Sequence, residues 1–321
     1  MHGAILDAES LGPGLDFAAL RDRLDSWDWH ERTQPAEVAA RIAPAEVVIT
    51  NKVVLDADAI AAAPRLRLIC VAATGVNNVD VAAAARAGVT VCNATGYATA
   101  AVAQHTWALI LALATHLVEY RDDVRAGAWQ RAPHFCRLDH PITELAGGTL
   151  GIVGHGTLGR AVAAGATAFG MDVLVAARPG TGPAPPGRVP LATLLERADV
   201  LSLHCPLTEA TRSLIGRDAL ARMKPTALLI NTARGGIIDA AALADALRAG
   251  TIAGAGIDVL EQEPPVDGDP LLAPDIPNLI VTPHCAWGTH AARQRLVDQV
   301  SDNIAAFRAG TPRNLVTPET S

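Results

Sequence analysis

A glycine-rich motif in the middle of the chain, Gly154-His155-Gly156-Thr157-Leu158-Gly159, constrains the fold more than any other feature. It follows an apolar run at 149–153 that predicts a buried strand, and it opens a predicted helix at 158–169. The first glycine permits a tight turn, the second lets backbone approach a pyrophosphate, and the third lets helix and strand pack closely. The helix N-terminus adds N–H donors and a positive dipole. This context predicts a dinucleotide-binding unit; the alternative is an ordinary glycine-rich turn.

Short apolar runs alternate with helical stretches on both sides of the motif, which is typical of parallel sheets covered by helices. The 321 residues are too many for one typical core. The prediction is an α/β fold of two doubly wound domains, Rossmann-like or flavodoxin-like, with the active site in the cleft between them. Residues 1–98 plus 289–321 are expected to form a substrate-binding domain, and 99–288 the dinucleotide-binding domain.

The predicted elements have definite boundaries. Asp80 suits a helix N-cap, and Gly88 suits a C-terminal stop. Strands are predicted at 47–50, 68–72, 89–92, 172–176, 200–203, 227–230, 254–257 and 279–281. Helices are predicted at 56–63, 80–87, 99–125 and 291–308, and a loop at 179–190.

Composition excludes several functional classes. The net charge of −7 argues against a nucleic-acid partner, which usually meets a basic face. No apolar run is long enough to cross a membrane. The first residues, 1–5, lack the basic and apolar regions of a signal peptide, so a cytoplasmic location is expected. The five cysteines are odd in number and include no C-x-x-C pair, so neither a disulfide framework nor a metal site is expected. Most are expected to be buried free thiols, and Cys285 is the exception because it follows His284.

The strand after the glycine-rich helix favours a particular cofactor. NAD-binding units usually place an acidic residue at the end of this strand to bond the ribose 2′-hydroxyl. Here the strand ends in Ala176-Ala177-Arg178-Pro179, so no carboxylate repels a 2′-phosphate and Arg178 can pair with one. We therefore predict that NADP is preferred over NAD. If Arg178 is only a solvated side chain, NAD would bind without a strong preference.

Three polar segments follow predicted strands late in the chain, where an open parallel sheet binds its ligands. Reduction of a 2-keto acid needs a proton donor and a cation for the carboxylate. His284 suits the proton donor, because imidazole titrates near neutral pH. Glu263 can orient that imidazole, and Arg234 can bind the carboxylate and polarise the carbonyl. Each residue taken alone has an ordinary structural alternative.

The chain also resembles a known family, the D-isomer-specific 2-hydroxyacid dehydrogenases. Besides the glycine motif, the resemblance is carried by His204-Cys205-Pro206-Leu207-Thr208, Met223-Lys224-Pro225, Asn231-Thr232-Ala233-Arg234-Gly235, Gly256-Ile257-Asp258-Val259 and Thr282-Pro283-His284. It implies the same catalytic residues, Arg234, Glu263 and His284. It also implies cofactor contacts by Thr106, Cys205, Pro206, Thr211, Thr232, Ala233 and Asp258, the last of these with the nicotinamide amide. For Asp258 the alternative is a carboxylate that caps an element or bonds backbone. The backbone of Thr74, Gly75, Val76 and Asn77 is implied to bind the substrate carboxylate; a simple turn is the alternative there.

Within this family the chain looks most like bacterial glycerate dehydrogenases, also called hydroxypyruvate reductases, through residues 77–80, 102–106, 135–136 and 286–287. That implies hydroxypyruvate or glyoxylate as substrate, and a homodimer contact in segment 129–145. One alternative is a dehydrogenase for another D-2-hydroxy acid, such as D-lactate. Another is a nucleotide-sensing corepressor of the same fold, which robust turnover would exclude.

Overall fold

The computed structural model describes residues 1–178 and 184–318. The chain divides into two compact units. Unit 1 comprises Met1–Ala98 and Gly288–Ser321, and unit 2 comprises Thr99–Trp287. Each unit is an α/β domain built on one parallel sheet, as the sequence predicts.

Unit 1 is built on a sheet of five parallel strands in the order β2-β1-β3-β4-β5. Apolar residues on β1, β3, β4 and β5 are buried against the helices, whereas β2 is a half-exposed edge strand. The strands are β1 (His2–Ile5), β2 (Ser26–Trp29), β3 (Val47–Thr50), β4 (Leu68–Val71) and β5 (Thr90–Cys92). The helices are α1 (Ala18–Arg21), α2 (Val38–Ile42), α3 (Ala57–Ala61), α4 (Val81–Arg86) and the C-terminal α11 (His290–Arg308).

Unit 2 contains six parallel strands in the order β11-β10-β9-β8-β6-β7. The order reverses between β6 and β8, and aliphatic residues pack on both faces of the sheet. The strands are β6 (Thr149–Val153), β7 (Asp172–Val175), β8 (Val200–Leu203), β9 (Leu228–Asn231), β10 (Gly254–Ile257) and β11 (Leu279–Val281). The helices are α5 (Thr99–Ala114), α6 (Leu117–Arg125), α7 (Thr157–Ala168), α8 (Leu191–Arg197), α9 (Arg217–Leu220) and α10 (Ala240–Arg248).

The predicted helix at 99–125 is wrong as a single element. Helix α5 ends at Ala114, and α6 begins at Leu117 with its axis bent by 61°. His116 lies between them with φ 48°, a left-handed conformation that ends a regular helix. No glycine or proline marks this break, so the helical pattern runs across it.

The remaining element predictions agree to within a few residues. Asp80 caps α4 by accepting the N–H of Ala83, and Gly88 has φ 70°, which confirms both predicted helix ends. Strands β1 and β2 were not predicted. Part of the predicted loop at 179–190 lies outside the described residues. Burial is confirmed for Cys70, Cys92 and Cys205 and is wrong for Cys136, which lies in an exposed loop. Cys285, the exception to that prediction, is also exposed in a loop.

Among the described residues, no single helix combines the length and apolar character that crossing a membrane requires. In the part of the chain that the structure describes, the bent pair α5 and α6 meets that test, by length and composition alone.

Candidate active site

The glycine-rich loop connects β6 to α7 at the point where the strand order of unit 2 reverses. In doubly wound sheets, ligands bind outside the carboxyl ends of the strands at such a switch point. Helix α7 begins at Thr157, so the N–H groups of its first turn face this crevice. The loop therefore provides the position and the donors that an anionic ligand requires.

Each glycine of the motif meets a different steric demand. Gly154 has φ 93°, and a Cβ there would lie 2.4 Å from the backbone nitrogen of Cys205. A Cβ on Gly159 would lie 2.1 Å from the carbonyl oxygen of Gly154. Gly156 has an ordinary φ of −80°, and a Cβ there would meet no atom within 4 Å. The protein's own packing thus requires two of the glycines, whereas the third leaves open space where a pyrophosphate fits.

The loop after β8 lies beside the glycine-rich loop. Cys205 is buried and touches the turn at Gly154. The hydroxyl of Thr211 donates to the carbonyl oxygen of Pro206 at 2.7 Å and accepts the N–H of Thr208 at 2.8 Å, so it shapes this loop. Burial lowers the pKa of His204 to about 4, and its Nδ1 has no partner among the described residues.

Basic side chains surround the end of β7. Arg178 is exposed just past the strand. Arg188 donates from Nη1 to the carbonyl oxygen of Ala176 at 3.0 Å. Burial, and then the positive charges of Arg188 and Arg160, hold the pKa of His155 below its usual value. The glycine-rich loop and this strand end therefore share a positive environment.

The structure brings His284 and Glu263 together. The Nδ1 atom of His284 lies 2.6 Å from Oε2 of Glu263, while Oε1 of Glu263 accepts the N–H of Leu260 at 2.8 Å. The two side chains are 30% and 34% exposed. His284 has φ 50°, an uncommon conformation for a non-glycine residue, and its N–H donates to the carbonyl oxygen of Asp258 at 2.8 Å. The backbone and the glutamate thus fix the imidazole, and no partner among residues 1–178 and 184–318 engages its Nε2.

Arg234 is presented by a tight loop after β9. The side chain of Asn231 donates to the carbonyl oxygen of Arg234 at 2.9 Å and accepts the N–H of Ala233 at 3.0 Å. A Cβ on Gly235 would lie 2.0 Å from the carbonyl carbon of Leu260, so this loop packs directly on the one that follows β10. The Arg234 side chain is exposed, and its Nη1 donates to the carbonyl oxygen of Ala233 at 2.7 Å.

Asp258, 1% exposed, bonds groups of the following loop. Oδ1 accepts the hydroxyl of Thr282 at 2.5 Å and the N–H of Cys285 at 3.0 Å, and Oδ2 accepts the N–H of Ala286 at 2.9 Å. The structure thus shows a backbone-binding role for Asp258, and its contact with a nicotinamide amide stays a prediction. Burial, followed by the charge of Asp258, raises the pKa of the Cys285 thiol.

Three predicted cofactor residues, Thr106, Thr232 and Ala233, lie inside unit 2, and the hydroxyl groups of the two threonines are engaged there. Thr106 is fully buried, donates to the carbonyl oxygen of Val102 at 2.8 Å and lies 3.1 Å from the hydroxyl of Thr232. Ala233 is buried after β9. The structure places all three near the strand ends, and their cofactor contacts remain predictions.

The predicted carboxylate-binding loop lies in unit 1, after β4. Thr74 anchors it by donating to the carbonyl oxygen of Ala94 at 2.9 Å. No acceptor among the described residues pairs with the N–H groups of Gly75, Val76 and Asn77. Val76 does accept the N–H of Val79, which forms a turn. The loop therefore has free donors as well as a turn, and its role stays a prediction.

Three residues of this site, His105, Asn231 and Thr282, have no role predicted from the sequence. The Nε2 atom of His105, on α5, lies 3.0 Å from the hydroxyl of Thr282 and 3.5 Å from Oδ1 of Asp258. Asn231 shapes the Arg234 loop. The strand-end positions of Asn231 and Thr282 were a usable signal, whereas nothing in the helical pattern around His105 distinguished it.

The fold and the loops at the strand ends define the class of two-domain α/β dehydrogenases. Residues 107–286 match the model of the D-isomer specific 2-hydroxyacid dehydrogenase, NAD binding domain. The chain therefore belongs to the D-isomer-specific 2-hydroxyacid dehydrogenase family. It is an oxidoreductase that binds a nicotinamide cofactor and acts on small 2-hydroxy or 2-keto acids.

Similar proteins have more specific names. The chain is 49% identical to a glycerate dehydrogenase of Methylorubrum extorquens over 88% of each chain. It is 37% identical to a hydroxypyruvate reductase of Blautia hydrogenotrophica over 98% of this chain and 99% of that one. Its structure resembles an NADPH-dependent glyoxylate/hydroxypyruvate reductase from Sinorhizobium meliloti with a TM-score of 0.84, 30% identity and coverage of 99% and 98%.

Proposed function

We propose that the protein reduces hydroxypyruvate or glyoxylate with NADPH, giving D-glycerate or glycolate, with His284 as the proton donor. The observation that carries this proposal is the 2.6 Å contact of His284 Nδ1 with Glu263, which leaves Nε2 available. The names of the similar reductases support the choice of substrate. Initial rates with hydroxypyruvate, glyoxylate and pyruvate, each with NADPH and NADH, test it. Faster turnover of pyruvate than of the other two acids would contradict the substrate assignment.

In this proposal each residue has one task. A bound nicotinamide cofactor supplies the hydride. His284 donates a proton from Nε2 to the carbonyl oxygen, and Glu263 keeps the imidazole oriented through Nδ1. Arg234 binds the substrate carboxylate as a bidentate partner and polarises the carbonyl. The open space at Gly156 and the N-terminus of α7 hold the pyrophosphate.

Arg234→Ala is expected to raise KM for the keto acid and to lower kcat/KM about a hundredfold or more. Removing the partner of a buried carboxylate costs roughly 2–5 kcal/mol. Arg234→Lys should recover only part of the loss, because an ammonium group cannot form the bidentate pair. Steady-state kinetics with Arg217→Ala as the control measure this; Arg217 pairs with Asp245 on the surface. An unchanged KM in Arg234→Ala would contradict carboxylate binding by this residue.

The preference for NADPH is part of the proposal and is supported by the basic groups near β7 and by the absence of an acidic residue at its end. Arg178→Ala is expected to lower kcat/KM for NADPH at least about tenfold, since a charge-assisted bond contributes roughly 1.5–3 kcal/mol. The value for NADH should stay unchanged. Arg197→Ala, an exposed arginine at the end of α8, is the matched control. Equal losses with both cofactors would contradict a 2′-phosphate contact.

We further propose a homodimer formed through the predicted segment 129–145 together with Leu117 on α6, because these residues include several large exposed apolar side chains. Phe135 is 90% exposed and Leu138 77% exposed, and Leu117, Trp129 and Ile142 are more than half exposed. A surface of this kind is typical of an interface. The double substitution Phe135→Asp and Leu138→Asp should convert dimer to monomer in sedimentation equilibrium. Val266→Asp, which charges an equally exposed apolar side chain elsewhere, should stay dimeric. A wild-type monomer at micromolar concentration would contradict the proposal.

A further inference from the structure

A mixed set of donor atoms lies where the ends of β10 and β11 meet α5. It consists of the imidazole of His105, the carboxylate of Asp258 and the thiol of Cys285. One ligand atom from each lies within 4.8 Å of the others, and Nε2 of His105 is 3.5 Å from Oδ1 of Asp258. All three residues belong to unit 2. No sequence motif with metal-ligand spacing predicts this set, because its members come from three separate parts of the chain.

From this set we infer a transition-metal site that takes Zn²⁺ or Co²⁺ through His105 Nε2, one oxygen of Asp258 and Cys285 Sγ. Zinc binds nitrogen, oxygen and sulfur at about 2.0–2.3 Å, so tetrahedral ligands lie roughly 3.3–3.8 Å apart. The Nε2–Oδ1 distance of 3.5 Å already lies within that range, and the distances to Cys285 Sγ, which are at most 4.8 Å, shorten by side-chain rotation when an ion binds. Three protein ligands and one open position are typical of zinc sites that are accessible to solvent.

The surroundings of Asp258 hold it ready for an ion. Its carboxylate is almost fully buried and is fixed by the N–H groups of Cys285 and Ala286. Hydrogen bonds of this kind orient a ligating carboxylate. The hydroxyl of Thr282 bonds both Asp258 and His105, so it must rotate away from them or join the ligands when an ion binds. Cys285 is exposed and gives the ion a path from solvent.

Binding releases one proton, since the thiol of Cys285 must become a thiolate to ligate the ion, while His105 keeps its ring proton on Nδ1. The ion also engages Asp258, which the family resemblance assigns to the nicotinamide amide. On the proposed function, therefore, bound zinc inhibits the enzyme in competition with the cofactor. This last step rests on the proposed function, whereas the binding of the ion does not.

The test is a titration of the full chain, free of tags and chelator, with Co²⁺ as the probe. A thiolate ligand gives cobalt a charge-transfer band in the near ultraviolet. We expect this band to saturate at one Co²⁺ per chain and to disappear on addition of Zn²⁺. Cys136→Ser, which removes an exposed thiol outside the set, should keep the band, and Cys285→Ser should lose it. His105→Gln should require at least about tenfold more cobalt for the same signal.

Thermal unfolding of each variant separates loss of a ligand from loss of the fold. Absence of the band in the wild-type protein, or its persistence in Cys285→Ser, would overturn the site. Inhibition is measured separately, as the rate of NADPH oxidation with and without Zn²⁺. Cobalt binding combined with unchanged rates would overturn the inhibitory role alone, and a protein without any turnover would contradict the proposed function while leaving the metal site intact.

Discussion

His284→Gln is expected to lower kcat for hydroxypyruvate reduction by about 10²–10⁴-fold, the range typical of losing a positioned general acid. Glutamine keeps a polar side chain of similar size but cannot donate a proton at neutral pH. Glu263→Gln should cause a smaller loss in kcat, because the imidazole remains but its Nδ1 partner is no longer charged. KM should change little in both variants, since the substrate carboxylate is proposed to bind Arg234 rather than either of these side chains.

The control for this series is His290→Gln, which makes the same chemical change at an exposed histidine that opens α11. It should keep full activity. Cofactor binding, measured by fluorescence of bound NADPH, should be unchanged in His284→Gln, so that the loss is located in the chemical step. If His284→Gln retained more than a tenth of wild-type kcat, another residue would have to be the proton donor.

Substitutions at two glycines of the same loop are expected to fail in different ways. Gly159→Ala places a methyl group 2.1 Å from a backbone oxygen, so the loop or the helix must shift. Overpacking of this kind costs roughly 1–3 kcal/mol or more, which lowers Tm by several degrees in a domain of this size. Gly156→Ala meets no protein atom and needs no unusual φ, so Tm should stay within about one degree of wild type.

Gly156→Ala should nevertheless lower kcat/KM for NADPH about a hundredfold, because its methyl group fills the space proposed for the pyrophosphate and displaces the cofactor. Differential scanning calorimetry and steady-state kinetics on both variants distinguish the two effects. Gly268→Ala is a useful control for the thermal measurement, as its φ of 85° strains alanine without any contact at the site. Normal NADPH kinetics in Gly156→Ala would contradict the assignment of this loop to the cofactor.

Much of the fold is predictable because its signals are local. The strand before the glycine motif, the helix after it and the cap at Asp80 each depend on residues within a few positions of one another. Strand β2 has only a weak local signal. Its sequence Ser26-Trp27-Asp28-Trp29 alternates between polar and aromatic residues at a half-exposed edge, and four residues are too few to establish the pattern. The bend at His116 has no glycine or proline beside it as a local marker.

In the site, too, features with local signals are predictable and features that depend on distant parts of the sequence are not. Strand-end positions suffice to predict that His284 and Glu263 come together, because parallel strands end at one edge of the sheet. They do not show that His105 reaches that edge, since a helix that crosses the sheet brings it there from a distant part of the sequence. Nor do they show that Asp258 is engaged by the N–H groups of its neighbouring loop, which depends on how that loop closes after β11.

The most direct test of the central claim is the initial rate of NADPH oxidation with hydroxypyruvate, followed by resolution of the product into its two enantiomers. We expect rapid oxidation, a product that is D-glycerate alone, and a fall in both signals of at least about 10²-fold in His284→Gln. No oxidation with either nicotinamide cofactor, or formation of L-glycerate, would contradict it.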